Sequence, residues 1–456
     1  IMDAVTNFVS QASDILWNVV LIILLCGTGI MFTVRLKFIQ VRKLKEGFRL
    51  VFGSMGKKNS DGANGEMTAF QSVATAIAAQ VGTGNLAGAA TALIGGGPGA
   101  IFWMWVSAFF GMSTIYAEAT MAQKYKTTVN GEVTGGPVYY IRAAFKGTFG
   151  KVLAVLFAVF IVVALGFSGN MVQANSIGAA FTEVFKARGI QIPPLVFGLI
   201  IAAAAAFIFL GGTQRLAAVV EKLVPFMAAV YIIGSLILIV MNITQLPAAF
   251  KMIFVGAFDP DAVMGAGAGI AVREAIRFGV ARGLFSNEAG MGSTPHAHAR
   301  AKVENPHKQG LAAMVSVFID TFVILNLTVF SILTTGVMDT HKTGTALTQA
   351  AFSQAFGGFG DIFVAVCLLF FAFSTILGWH FFGLTNMKYL FGEGAGKIYS
   401  ILVVGFVIVG SVLKVDLVWS MSDFFNGLMV IPNAIALWAL SGVVVNICKK
   451  YGQSKS

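Results

Sequence analysis

Charged residues are scarce in this chain of 456 residues, and their scarcity excludes an ordinary soluble domain. Asp, Glu, Lys and Arg together make up 11% of the sequence, whereas 57% of it is hydrophobic. Soluble globular proteins carry roughly 25% charged residues. The mean hydropathy is +0.82. Because membrane spans must pair their own backbone groups, we predict an all-α polytopic membrane protein.

Cysteines and nucleotide-binding motifs are also scarce. The three cysteines, Cys26, Cys367 and Cys448, lie in or at the end of apolar runs, and their spacing indicates neither a disulfide framework nor a metal site. No Walker A pattern occurs, which argues against a pump driven by ATP. The glycine run at 82–88 is one residue too long for the dinucleotide fingerprint. We therefore expect no enzymatic activity and no organic cofactor.

Apolar runs long enough to cross about 30 Å of hydrocarbon recur along the chain. The first run has acids before it and bases after it and shows no cleavable signal pattern, so we expect it to remain as a span. In all we predict about eleven spans. They lie at 15–34, 68–94, 98–122, 151–184, 192–211, 217–242, 262–285, 309–336, 360–385, 397–413 and 420–447.

The net charge of +11 is concentrated in every second gap between these runs. Such a bias orients membrane helices and requires no nucleic-acid partner; no obligate protein partner is evident either. It predicts a cell-membrane protein with the N-terminus outside and the C-terminus in the cytoplasm.

If the first helix is peripheral, the second and seventh spans run in opposite directions, as inverted repeats require. The predicted divisions are 1–66 (first helix and basic loop), 67–242 (first repeat), 243–261 (extracellular connection), 262–447 (second repeat) and 448–456 (basic tail).

Polar residues and glycines interrupt the second apolar run, with the sequence QVGTGN at 80–85. Glycine weakens helix propensity, and non-helical backbone at this depth persists only where it is buried in protein or lines a watery cavity. Broken helices of this kind build transporter sites. The alternative is a helix-packing face, because Gly84 and Gly88 have the GxxxG spacing. Glycines at 265–269 and 277–283 predict a second break in the seventh span.

Two segments carry a family resemblance: GGPGAIFWMWVSAFFG at 96–111 and RGLFSNEAGMGS at 282–293. Both resemble signature segments of the alanine or glycine:cation symporter family, the sodium:alanine symporters, and the likeness extends over nearly the whole chain. The resemblance implies sodium-coupled import of small neutral amino acids, alanine and glycine. It also implies a leucine-transporter-like fold with a five-plus-five inverted core. The run VGTGN at 81–85 is similar to the unwound segment of the first core helix of that fold.

The substrate is expected where the two breaks meet at the bilayer midplane. The N–H groups of Thr83 and Gly84, at the start of a half-helix, would face its carboxylate. Carbonyls near Gln80, and at 276–279 in the other break, would accept from its ammonium group. The predicted substrate-binding residues are Gln80, Thr83, Gly84, Phe167, Asn170, Ile276, Phe278, Gly279, Thr375 and Trp379.

Several of these residues also have a purely structural interpretation. Asn170 could serve as a polar contact between helices, and Phe167 could face the core or lipid. Trp379, which could limit substrate size, could instead be an interface anchor. Asp320 is a functional candidate because it is an acid within an apolar span; the alternative is a structural polar pair with Asn326.

By resemblance, the co-transported sodium ion is expected on the first broken helix and the ninth span. A hard monovalent cation prefers oxygen ligands. The predicted ligands are the carbonyls of Ala78, Val81 and Phe371 and the hydroxyls of Ser374 and Thr375.

The charged residues Arg277, Arg282 and Glu288 are expected to form ion pairs that lock the cytoplasmic gate, with plain topology anchoring as the alternative. His296 and His298, together with Glu288, could suggest a metal site, but two histidines one residue apart in a basic cytoplasmic loop are expected at a solvated surface. Two further possibilities stay open: a channel built on the glycine-rich breaks and a carrier driven by protons.

Overall fold

The computed structural model describes residues 11–13, 15–55, 66–264 and 271–452; the predicted glycine cluster at 265–269 lies outside them. Strands β1 (Thr127–Val129) and β2 (Glu132–Thr134) form an antiparallel hairpin. Almost all other regular structure is helical.

The helices of the first half of the chain largely follow the predicted apolar runs. They are α1 (Leu21–Arg35), α2 (Ile39–Arg42), α3 (Leu44–Gly53), α4 (Ala69–Gln80), α5 (Ala89–Gly96), α6 (Gly99–Lys124), α7 (Pro137–Ala144), α8 (Gly147–Ile161), α9 (Asn170–Lys186), α10 (Pro194–Phe209), α11 (Gly212–Met241) and α12 (Leu246–Gly256).

The second half continues in the same way. Its helices are α13 (Asp261–Met264), α14 (Val272–Asn287), α15 (Pro295–Ala299), α16 (Pro306–Val317), α17 (Asn326–Thr335), α18 (Gly344–Phe356), α19 (Gly360–Phe391), α20 (Ala395–Val412), α21 (Val415–Ala439) and α22 (Ser441–Gly452). Short 3-10 turns lie at Ile243–Gln245, Val337–Thr340 and Gly357–Phe359, and π-helical turns at Leu16–Val20, Gly84–Gly88, Val162–Gly169 and Phe318–Leu325.

The helices confirm the predicted all-α membrane class. Within the described ranges, six are long and apolar enough to cross a membrane, or eight if each of two bent pairs is one span. Three shorter apolar helices lie at Leu21–Arg35, Pro194–Phe209 and Ile243–Gly256. The set of apolar helices differs from the prediction at one place. It includes α12, which lies within the predicted connection 243–261, and it does not include α14, which lies in the predicted span 262–285.

Small residues bring the central helices into close contact. A Cβ on Gly378 of α19 would lie 2.9 Å from Ala79 Cβ of α4, and one on Gly283 of α14 would lie 2.8 Å from Met104 Cγ of α6. Lipid offers no hydrophobic force to drive helices together, so close van der Waals packing of this kind stabilises a membrane bundle. It fixes α4, α6, α14 and α19 around the site.

Candidate substrate and ion site

The second apolar run is broken at the predicted stretch. α4 ends at Gln80, Val81 is extended with φ −81° and ψ 92°, and helical structure resumes as the π-helical turn Gly84–Gly88 before α5. The two halves are bent by 51°. All residues from 80 to 85 are buried. The break therefore lies inside the protein, as exposed backbone at this depth requires.

Oxygen atoms converge on this break from α19. The Ser374 and Thr375 hydroxyls lie 3.2 Å and 3.0 Å from the Ala78 carbonyl oxygen. Thr375 Oγ1 also lies 3.4 Å from the Val81 carbonyl oxygen. The Phe371 carbonyl accepts from both hydroxyls, at 2.8 Å and 3.0 Å. All five residues predicted as sodium ligands thus come together, and their oxygens suit a hard cation.

Gly82 is the position where the break and α19 approach most closely. A Cβ on Gly82 would lie 2.3 Å from Thr375 Oγ1 and 3.1 Å from Gln173 Oε1. Only glycine lets the backbone come so near. This glycine is therefore required for the contact as well as for the break.

The donors of Thr83 already have a partner. Its N–H and its hydroxyl both donate to Gln173 Oε1, at 3.1 Å and 2.7 Å. The N–H predicted to face the substrate carboxylate is therefore occupied by a side-chain oxygen. Gln173 was absent from the predicted set, although an amide within an apolar span is a signal for a functional or interhelical contact.

Three amide side chains around the break keep a free polar atom. Gln80 donates to the Asn287 carbonyl at 2.7 Å, and Asn170 donates to the Gly166 carbonyl at 3.0 Å. Within the described part of the chain, Gln80 Oε1, Asn170 Oδ1 and Gln173 Nε2 are buried without a hydrogen-bond partner. Buried polar atoms are rarely left unpaired, so these three indicate a place for a polar ligand or water.

The buried carboxylate of Asp320 joins the two halves of the site. It accepts from Asn85 Nδ2 at 2.7 Å, from Ser286 Oγ at 2.9 Å and from Thr321 Oγ1 at 3.0 Å. Asp320 is 0% exposed and lies in the π-helical turn Phe318–Leu325. Such turns often mark functional sites.

Asp320 and Asn326 do not form the polar pair that was the structural alternative for this acid. Asn326 Oδ1 accepts instead from Trp105 Nε1 at 2.6 Å. The Asn326 side chain therefore connects α17 to α6, while the Asp320 carboxylate is hydrogen-bonded to Asn85 at the first break.

The second break is displaced from its predicted position. α14 is continuous from Val272 to Asn287, so Ile276, Phe278 and Gly279 lie in regular helix and the break predicted at 276–279 is wrong. Gly279 serves close packing, since a Cβ there would lie 2.4 Å from the Ala100 carbonyl oxygen of α6. Phe278 packs against the end of α5: its ring would lie 2.5 Å from a Cβ on Gly95.

The non-helical segment lies instead at 288–294. Glu288, Gly290 and Gly292 adopt φ of 56°, 90° and 80°. The N–H groups of Gly290 and Gly292 donate to the carboxylate of Glu118 on α6, at 3.0 Å and 2.8 Å. Asn433 Nδ2 donates to the same carboxylate at 2.7 Å. Glu118 was not singled out from the sequence, although an acid within an apolar run is a signal.

Glu288 does not form the predicted arginine lock. Its carboxylate accepts from Trp379 Nε1 at 2.5 Å and from the Ser293 hydroxyl. Arg277 instead pairs with Glu274 at 3.6 Å. The predicted cytoplasmic ion pairs between this acid and the two arginines are therefore wrong.

Arg282 lies in the half of the molecule predicted to face outside. It pairs with Asp423 of α21, and its guanidinium lies 5.1 Å from the Trp419 ring. Together with Glu183 and Gly344, Arg282 lines a cavity of about 370 Å³. This ion pair thus lies at the end of the site that the predicted orientation places outside, and not at the cytoplasmic end where it was expected.

The two aromatic candidates have different surroundings. Trp379 is 1% exposed, its ring lies 5.8 Å from that of Phe285, and a Cβ on Gly169 would lie 2.5 Å from it. It therefore remains a candidate pocket wall. Phe167 stacks on Phe406 of α20 at 4.5 Å. Its ring thus packs on α20, and its role as a pocket wall stays a prediction.

The end of the molecule predicted to face the cytoplasm, which we call the inner end, has main-chain pairing between distant segments. Met67 N–H donates to the Arg300 carbonyl at 2.9 Å, and Lys302 N–H donates to the Met67 carbonyl at 2.8 Å. These bonds join the residue before α4 to the chain that follows α15. We call this pairing the inner bridge.

His296 and His298 lie close to the inner bridge. They are 1% and 0% exposed, so their predicted solvated position is wrong. His298 Nδ1 lies 2.8 Å from Gln309 Nε2, and His296 Nε2 lies 2.8 Å from Asn386 Nδ2. Both imidazoles thus help to pack the inner end.

Comparisons with solved structures agree with the fold. A manganese transporter of Eremococcus coleocola, solved in complex with an aromatic compound, superposes with a TM-score of 0.53 at 12% identity, covering 85% of this chain and 80% of that one. A point mutant of the same transporter gives 0.52 at 14% identity, covering 82% and 78%. At such identities the likeness concerns the fold alone.

Sequence comparisons are more specific. The model of the sodium:alanine symporter family matches residues 2–456. A sodium/alanine symporter of Methanococcus maripaludis is 41% identical, with 98% of this chain and 97% of that protein covered. Two Bacillus subtilis proteins are provisionally named a sodium/proton-dependent alanine carrier, at 39% identity over 98% and 93%, and a sodium/glutamine symporter, at 40% over 98% and 91%. The chain is thus a membrane transporter and not an enzyme, and it belongs to the sodium:alanine symporter family.

Proposed function

We propose that this protein imports small neutral amino acids, alanine and glycine, together with sodium across the cell membrane by alternating access. The observation that carries the proposal is the convergence of the Ala78 and Val81 carbonyls with the Ser374 and Thr375 hydroxyls at a buried helix break. The name of the Methanococcus relative gives independent support. The N-terminus lies outside in this proposal, and 67–242 and 262–447 are inverted halves around the site.

The surroundings of Thr83 support a site for a zwitterion. Gln173 Oε1 accepts from both donors of this residue, so it holds the place that a substrate carboxylate oxygen would take. The free oxygens of Gln80 and Asn170 can accept from an ammonium group. Binding would then exchange one set of hydrogen bonds for another, which keeps the net free energy small and the cargo releasable.

Contacts at the two ends of the site support alternating access. The cavity of about 370 Å³ opens above the break at the proposed outer end, where Arg282 pairs with Asp423. The inner bridge closes the opposite end. Both contacts are formed in this structure, so in the proposed cycle the ion pair breaks when the site opens to the outside and the inner bridge breaks when it opens to the cytoplasm.

Uptake into proteoliposomes with exchanged ions tests this function. Radiolabelled alanine should accumulate with an inward sodium gradient and should fail to accumulate when choline replaces sodium. A panel with glycine and glutamine defines the range, because relatives carry both alanine and glutamine in their names. Sodium-independent accumulation, or currents of single-channel size, would overturn the proposal.

Proton coupling is the second candidate, and Asp320 is the observation in its favour. This buried carboxylate is surrounded by neutral amide and hydroxyl donors, and a buried charge without a counter-charge is readily protonated. Under this alternative, a proton gradient without sodium would drive uptake, and Asp320→Asn would abolish that dependence. If Asp320→Asn leaves proton-driven uptake intact, this residue is not the proton carrier.

Trp379 is the proposed limit on substrate size. Trp379→Ala should admit larger neutral amino acids such as leucine, because it removes a ring packed against Phe285 and Gly169. Trp379→Phe is the matched control: it keeps most of the bulk and loses the N–H bond to Glu288. Competition uptake with a substrate panel measures both, and an unchanged range in the alanine variant would contradict the assignment.

A further inference from the structure

Five basic side chains line one cleft of about 190 Å³ where α1 ends: Arg35, Lys37, Arg42, Lys43 and Lys449. They come from the end of α1, from the short helix after it and from the C-terminal part of α22. The residues that line this cleft include no Asp or Glu, and Glu46 beside it pairs with Lys43 at 2.7 Å, which leaves four basic side chains, Arg35, Lys37, Arg42 and Lys449, to receive an anion. Like charges gathered in one place repel one another, so the arrangement favours an anion.

Specific contacts hold the cleft in shape. Arg42 donates to the main-chain carbonyls of Lys37 and Leu36, at 2.6 Å and 3.0 Å, and Arg35 donates to the Ser441 hydroxyl. Lys37 and Phe38 both adopt left-handed backbone, with φ of 54° and 55°. Non-glycine residues in this region are strained and persist where the surroundings enforce them. The surrounding contacts therefore hold this turn in one conformation.

Exposed apolar side chains are sequence neighbours of the residues that line the cleft. Val34, Phe38 and Val41 are 61%, 50% and 64% exposed. They lie at the end of a membrane helix, where hydrocarbon meets headgroups. A free anion would contact the basic side chains alone, whereas an amphiphile would contact both the basic and the apolar side chains.

We propose that this cleft binds the phosphate headgroup of an anionic phospholipid, with its acyl chains along Val34, Phe38 and Val41. Basic pockets between membrane helices on the cytoplasmic side are suited to such headgroups. Inorganic phosphate shares the headgroup chemistry and lacks the acyl chains, so it is the comparison that separates a lipid site from a site for a soluble anion. The inference is independent of which amino acid or ion the protein transports.

The test uses the full-length protein purified in neutral detergent, with lipid binding followed by native mass spectrometry and by the melting temperature. Phosphatidylglycerol should bind and stabilise the protein; phosphatidylcholine and inorganic phosphate should not. In the Lys37→Gln/Lys449→Gln double variant the affinity should fall by about fivefold for each charge removed, roughly 25-fold in total. Both lysines are exposed, so the variant should fold.

The matched control is Lys146→Gln/Lys397→Gln, which removes two exposed charges elsewhere at the same predicted end of the molecule. Its affinity for phosphatidylglycerol should equal that of the wild type. An equal loss in both double variants would reduce the effect to general surface charge, and no loss in either would exclude the cleft. Equal stabilisation by inorganic phosphate would assign the site to a soluble anion. Each of these results overturns the proposal, and none depends on alanine uptake.

Discussion

At the scale of single residues, the proposed ion site depends on two adjacent hydroxyls and on a glycine opposite them. Thr375 has the larger role of the two hydroxyls, because it reaches the carbonyls of both Ala78 and Val81. Gly82 lets it approach, since any Cβ at that position would overlap its Oγ1. The hydroxyl therefore bridges two carbonyls that a regular helix would keep for itself.

Thr375→Ala should reduce the apparent affinity for sodium by roughly 10- to 150-fold, because it removes one oxygen ligand of the ion, a contact taken as comparable to a hydrogen bond to a charged group at about 1.5–3 kcal/mol. Sodium titration of alanine uptake measures the change. Thr385→Ala is the control on the same helix, since that hydroxyl bonds the Phe381 carbonyl of its own helix. Unchanged sodium affinity in Thr375→Ala would remove this residue from the ion site.

Gln173 offers a second residue-scale test. Gln173→Ala removes the oxygen that occupies the Thr83 donors, so the KM for alanine should fall by roughly two- to tenfold, within the worth of about one hydrogen bond. Gln173→Glu should raise KM, because a fixed carboxylate competes with that of the substrate. If both variants raise KM equally and lower the melting temperature, the residue is purely structural.

At the scale of elements, the second break depends on an acid from another helix. The carboxylate of Glu118 takes the N–H groups of Gly290 and Gly292, which would otherwise lie unpaired inside the membrane. Asn433 connects the same carboxylate to α21 and also donates to the Gly290 carbonyl, at 2.9 Å. Three elements thus share one side chain.

Glu118→Gln should destabilise the protein by about 1.5–3 kcal/mol, because an amide NH₂ would face a backbone N–H that needs an acceptor. The melting temperature in detergent and alanine uptake should fall together. Glu221→Gln is the matched control: it changes an acid that accepts from Gln71 Nε2 at 2.9 Å near the inner end of α4. An equal loss in the two variants would contradict the special role of Glu118.

The two breaks also show what the sequence could and could not reveal. The first was predictable, because Gln80, Thr83 and Asn85 place polar groups where lipid offers no partner. The second was misplaced because glycine has two uses: Gly279 and Gly283 bring α14 close to α6 in regular helix. The true break needs an acceptor from Glu118, more than 150 residues away in the chain, and such a pairing has no local signal.

At the scale of the whole molecule, the all-α membrane class followed from apolar length, and the grouping of the five proposed ion ligands agrees with what the family resemblance implies. The position of Arg282 did not. A run of basic residues predicts a cytoplasmic loop, but this arginine lies within α14 and is paired with Asp423 of α21. Partners so distant in sequence are set by packing and not by composition.

Arg282→Gln should favour the state that is open to the outside, because it removes the ion pair between α14 and α21. Labelling of Ala87→Cys, a position 4% exposed in the outer cavity, should become roughly tenfold faster, the factor for about 1.4 kcal/mol. The measurement requires Cys26, Cys367 and Cys448 to be replaced by serine.

The control for this labelling is Arg188→Gln, which breaks the ion pair with Asp361 at the same end of the molecule. Labelling at the same rate as in the wild type is expected there. If both variants accelerate labelling, loss of charge at the rim is sufficient, and Arg282 has no specific part in closing the cavity.

The inner bridge has a consequence for how freely this region can diverge. Both of its bonds run between peptide groups, at Met67, Arg300 and Lys302. Side chains at these positions can therefore be substituted during evolution without loss of the two hydrogen bonds. Proline at 67 or 302 is the exception, because it has no N–H to give. A homologue with proline at either position would lack one of the two hydrogen bonds and would hold these two segments together less firmly.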